Sequence, residues 1–224
     1  MRVEIPSAIA SSPPSPPAPR TPADLPAMLE LVTILPVTGV EAPAPKPISR
    51  AEALAAVMRS PQFQDTVSPL ARLYFASFGR FPDYDGLNHY TGAREDGAQL
   101  TEIANEFARG REFEIRYGLL DNAEFVERVF VNVLGDARQA DVRAYWVEEL
   151  NSGRMTRGDV LVDLSESGAF RERSAHQVFV STAYTEILRR TPDAAGYAHW
   201  VSILDAGYPA RTVIDGLLGG SRAK

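Results

Sequence analysis

The sequence predicts an all-α fold: a compact bundle of about three and a half helical repeats, each roughly 55 residues long, preceded by a proline-rich disordered tail. Three observations carry this. Apolar residues recur with a 3.6-residue period and no segment alternates like a strand. One phrase returns 110 residues after its first appearance. Twelve of the 17 prolines lie before Ile48, so the breakers of regular structure are crowded at one end.

The tail comes first in the chain. Residues 11–19 and 42–47 are dominated by proline, serine and alanine, which favour extended, solvated backbone and bury no core. Between them, residues 27–40 hold Leu29, Leu31 and Ile34 in a stretch too apolar for a plain spacer. It is expected to dock, on the same chain or on another protein. No secretory signal is recognisable, because Arg2 is followed by Glu4, Pro6 and a proline cluster in place of an unbroken apolar run. The expected location is the cytoplasm, or the cell surface by export without a classical signal. Leu35 to Gly39 matches a sortase-like pentapeptide but lacks the apolar span and basic tail such a signal needs, so it is read as chance.

The repeat fixes the rest. Phe78 to Tyr90 aligns with Leu188 to Trp200, sharing proline, aspartate, glycine, histidine and a closing aromatic. Leu134 to Trp146 is a degenerate middle copy, with Arg138, Gln139 and Val142 where the others have proline, aspartate and glycine. Ile48 to Phe63 aligns without a gap on Met155 to Phe170. The chain from Ile48 to Lys224 thus reads as one half-unit and three units.

Each unit is expected to hold three helices. The first carries Leu70, Leu73, Tyr74 and Phe78, or Phe125, Val129, Phe130 and Val133, or Val180, Ala183, Tyr184 and Ile187 at helical spacing. Pro82-Asp83 and Pro192-Asp193 break the chain, and each aspartate is placed to cap a second helix. Gly97, Gly153 and Gly207 follow that helix at a left-handed turn. A third helix is expected from Thr101 or Thr156 to Phe113 or Phe170, with neighbouring units completing one another's cores.

Composition excludes several functions. A net charge of -6 argues against nucleic-acid binding, which needs a basic surface. With no cysteine there is no disulfide, zinc–thiolate site or thiol nucleophile. No membrane span is expected, and no cofactor. Asp83-Tyr84-Asp85-Gly86 resembles part of a calcium loop, but Phe81 and Gly92 stand where the first and last ligands belong, so no metal site is assigned. His89 and His199 occupy one repeat position, which argues for packing over catalysis; His176 has no partner that spacing identifies. No enzyme activity is expected.

The candidate interaction residues are Leu29, Leu31 and Ile34 in the tail and Arg80, Tyr90, Trp146, Arg190 and Trp200 in the repeats. Arg80 and Arg190 are expected to pair with Asp83 and Asp193, or to cover a ring. The three aromatics are expected in the core; an exposed one would serve as an interface hot spot or a sugar platform.

The run from Phe78 to Tyr90, with Leu119 to Val126 and Tyr145 to Gly153, resembles the bacterial domain of unknown function numbered 4214, over roughly Ile48 to the carboxyl end. That resemblance implies a helical interaction module of surface-associated or exported bacterial proteins, with no catalytic residues to carry over. The glycine-aspartate calcium repeats of many relatives are absent. The reading is therefore a protein–protein interaction or assembly module with an unidentified protein partner, a carbohydrate-binding module with a glycan ligand being the alternative.

Overall fold

A computed structural model describes residues 48–135 and 140–220. Leu29, Leu31, Ile34, Arg138 and Gln139 lie outside the described residues. Twelve helices and no strand occur among the described residues. The half-unit is α1 (Arg50–Met58). The first unit holds α2 (Pro61–Phe78), α3 (Tyr84–Glu95), α4 (Leu100–Arg109) and α5 (Arg111–Tyr117). The second holds α6 (Asn122–Leu134), α7 (Ala140–Asn151), α8 (Arg157–Ser165) and α9 (Gly168–Arg173). The third holds α10 (Ala175–Leu188), α11 (Ala194–Asp205) and α12 (Ala210–Gly220).

The turns follow from the residues that mark them. Asp83 and Asp193 cap α3 and α11, each accepting from the backbone N–H three residues on, Gly86 and Gly196, at 2.8 Å. Gly97, Gly153 and Gly207 have φ of 102°, 70° and 84°, the left-handed conformation that ends the second helix of each unit. The half-unit keeps its register: Ser49 and Glu52 form a capping box on α1, as their counterparts Thr156 and Asp159 do on α8.

The third helix differs from expectation. It is broken in both complete copies, at Gly110 between α4 and α5 and at Glu166-Ser167 between α8 and α9. Gly110 is extended, with ψ of 151°, and Ser167 caps α9 by accepting from Phe170 N–H at 3.4 Å. A glycine and a serine that serve as N-caps stop each helix one turn early. In the first copy the starting cap is Gln99, not Thr101, because Glu102 reaches back to the Gln99 N–H at 2.8 Å.

Third helices pair with one another: α4 lies along α8, and α1 lies along α12. The first pairing is tight, since a Cβ on Gly158 of α8 would stand 2.7 Å from the Thr101 carbonyl oxygen of α4. One core gathers α2 to α9 around Leu73, Phe107, Phe125, Phe130, Leu161 and Phe170. A second gathers α1 and α10 to α12 around Ala55, Val180, Ala183, Val213 and Ile214. The half-unit thus completes the last unit of the array, not the unit next to it as neighbour-by-neighbour stacking would have it. Its apolar stripe at Ala51, Ala55 and Met58 finds Val213, Ile214 and Leu217, and Arg211 donates to Glu52 at 2.9 Å across the same seam.

Candidate functional site

The repeat-position residues serve the bundle first. Trp146 is 8% exposed, in the first core, while Tyr90 and Trp200 are half-buried. Tyr90 lies edge-on to Phe107 at 4.9 Å between ring centres, and burial raises its hydroxyl pKa, with the Glu106 carboxylate adding to the effect. Trp200 covers Gly216 of α12, where any Cβ would collide with its ring. His89 and His199 are exposed and each stands edge-on to the aromatic that follows it, at 4.7 and 4.8 Å. The same arrangement twice over is what a packing residue gives.

The arginines cover rings. Arg80 lies 5.3 Å from the centre of Tyr74, and Arg190 lies 5.5 Å from the centre of Tyr184. The expected local ion pair of Arg80 is secondary: Asp83 stands at 3.7 Å, whereas Glu112 accepts two hydrogen bonds at 2.8 Å. The break at Gly110 brings Glu112 of α5 over the arginine, a contact sequence could not place because the third helix was read as continuous. Both side chains of this pair are about a third exposed or more, so the pair contributes at most about 1 kcal/mol.

Two contacts were not legible in the sequence. Arg72, 4% exposed, donates twice to Glu166 at 2.7 Å, joining α2 to the end of α8. The repeat carries this position only in part, with arginine again at Arg128 but threonine at Thr182, and the partner Glu166 lies 94 residues away where no spacing rule points to it. His176 has its Nδ1 2.6 Å from Asp205, linking α10 to α11 on the surface. Among the described residues no group of three or more acidic or histidine side chains is placed to hold a metal ion.

The feature that most resembles a binding edge lies beside α1. In the ungapped register of Ile48–Phe63 on Met155–Phe170, Leu54 corresponds to Leu161 and Val57 to Leu164. Leu161 and Leu164 are 0% and 8% exposed beneath the helices packed on α8. Val57 is 58% exposed and Leu54 is half-buried. Among the described residues the half-unit consists of this helix alone. Every other third helix packs on the first helix of its own unit, α4 on α2, α8 on α6 and α12 on α10, while among the described residues α1 has no such neighbour. An open cleft of about 580 Å³ runs there, with Leu54, Val57, Met58, Phe63, Val67 and Ile187 in its wall. Arg50, Glu95, Glu186 and Arg189 also line it, and burial raises the pKa of Glu186. The alignment that reveals this edge was readable in the sequence; the exposure of Val57 was not.

No helix among the described residues is long and apolar enough to cross a membrane. A family model described as a domain of unknown function (DUF4214) matches residues 104–174 and 169–222. No curated protein and no solved structure matches the chain.

Proposed function

The chain belongs to the DUF4214 family, and from that premise we propose that it is a non-enzymatic interaction module whose binding edge is the face of α1 that the described residues leave uncovered, serving assembly in a bacterial surface-associated or larger complex. The observation that carries this reading is the contrast between Val57 and Leu164, equivalent residues of which one is bare and the other buried. The occupant it favours is an amphipathic helix of a partner protein, lying as α6 lies on α8 and presenting apolar side chains at i, i+3 or i+4, and i+7. Burying a large aliphatic side chain is worth about 1.5–3 kcal/mol, so Leu54 and Val57 with the cleft wall around Ile187 offer an anchor of useful strength. The two charges of each sign that line the cleft would set the direction of the incoming helix.

A non-enzymatic role draws support from the doubled histidine position and from the ring-covering arginines, which have packing work in both copies. The sugar-stacking reading draws less, because Trp146 is in the core and Trp200 is set against Gly216.

Site-specific photo-crosslinking tests the proposal. A photoreactive residue at Val57 is expected to capture one reproducible partner in the producing cells, and the same residue at exposed Glu172 is not. Val57→Glu should abolish co-purification of that partner while leaving the melting temperature unchanged. No adduct from position 57, or equal adducts from both positions, would overturn the reading.

A further inference from the structure

A second cavity, of about 430 Å³, opens among the end of α1, the first half of α2, α9, α10 and the turn into α12. Its walls are apolar at Met58, Phe63, Phe179 and Leu204. Beside the neutral Gln64, Ser68, Thr182 and Tyr208, its lining is one-sided: the basic Arg59, Arg72, Arg171 and His176 contribute, and no aspartate or glutamate does. In a chain of net charge -6 that local reversal of sign is against the average of the surface.

The partners of these groups sharpen the picture. Glu166 engages Arg72, and Asp205 engages His176 through Nδ1, so those two groups already have acidic partners. Arg59 and Arg171 have no acidic side chain within salt-bridge distance among the described residues, and both are exposed at the cavity. Ser68, 1% exposed, contributes to the wall and its hydroxyl has no hydrogen-bond partner. A buried hydroxyl without a partner is costly unless something supplies one. The volume lies in the range of small-ligand sites, which combine apolar walls with a few convergent polar groups.

We propose that this cavity binds a small organic anion, a carboxylate or phosphate head carried on an apolar body, with Arg59 and Arg171 at the head and Phe63, Phe179 and Leu204 around the body. Guanidinium groups favour such heads because their paired N–H groups match two oxygens of a carboxylate or phosphate. The cavity shares Met58 and Phe63 with the cleft beside α1, but Arg59 and Arg171 line this cavity and not that cleft, so the inference does not rest on a partner helix docking there.

Titration of the full-length protein with hexanoate, phenyl phosphate, inorganic phosphate and neutral hexanol, followed by heteronuclear NMR, tests it. Hexanoate or phenyl phosphate should shift the signals of Ala175, His176 and Tyr208 in a saturable way, and which one binds tighter identifies the head. Inorganic phosphate and hexanol should each bind at least about tenfold more weakly, since each lacks half of the recognised chemistry. Arg59→Glu with Arg171→Glu should lower affinity for the anions by about tenfold or more and leave the circular dichroism spectrum and melting temperature intact. The inference fails if neither organic anion shifts those signals, if hexanol matches hexanoate, or if the folded double variant binds as tightly as the parent.

Discussion

The hydroxyl of Tyr184 stands 2.6 Å from where a Cβ on Gly196 would be, and Tyr74 closes on Gly86 in the same way in the first unit. The glycine at the start of the second helix is therefore a receptor for the tyrosine of the first. In the middle unit both partners change together: Phe130 replaces the tyrosine and Val142 the glycine. Without a hydroxyl to accommodate, a side chain fits. Glycine to alanine inside a helix normally gains about 0.5–1 kcal/mol, but an overlap of this kind costs about 1–3 kcal/mol. Gly196→Ala is thus expected to destabilise, and Tyr184→Phe in the same chain to recover most of the loss. Denaturant unfolding of the two single variants and the double variant checks it; independent, additive effects would refute the coupling.

Much of this architecture could be read in the residues. Asp83, Asp193, Gly97, Gly153 and Gly207 act locally, through one cap or one φ angle, so their roles followed from type and spacing. The breaks at Gly110 and Ser167 were missed because an apolar period continues across them and hides a one-residue cap. The pairing of α1 with α12 was missed for a different reason: it joins elements at opposite ends of the sequence, and no local rule selects such a partner. The candidate site falls between these cases, its alignment local and its exposure global.

Equivalent positions should respond unequally to the same change. Leu164→Ala removes a core side chain and should cost about 2–4 kcal/mol, while Val57→Ala at the bare edge should stay within about 0.5 kcal/mol. Chemical unfolding of both variants gives the comparison, and a similar cost at the two sites would mean that the edge of α1 is covered.

The buried ion pair should be asymmetric. Arg72 is 5% exposed at its side chain and Glu166 is 23% exposed. Glu166→Ala leaves a guanidinium enclosed without its carboxylate and is expected to cost about 3 kcal/mol. Arg72→Met leaves a carboxylate that can turn to water and fills the space with an apolar chain, so it should cost clearly less. Thermal unfolding of the pair of variants decides; the reverse order would refute the account.

Acid should loosen the seam between α1 and α12. The Ser49 backbone N–H, and then the Arg211 guanidinium, hold the Glu52 carboxyl below its ordinary value of 4.5. A lowered carboxyl contributes stability that is fully present above the unfolded value and is lost as pH falls through the folded one. Hydrogen exchange in α1 and α12 should accelerate as pH drops from about 5 to about 3, after correction for the intrinsic rate. Glu52→Gln should flatten that part of the pH dependence, and an unchanged profile would count against the seam.

Pairing of α1 with α12 gives the repeat region an unusual kind of cooperativity. A stack whose units touch only their neighbours can fray from either end and lose one unit at a time. Here the last unit packs Val213 and Ile214 in one core with Ala51, Ala55 and Met58 of α1. The two ends of the array share one fate, and a nick that releases residues 50–58 would be felt some 160 residues away, at Arg211 and beyond.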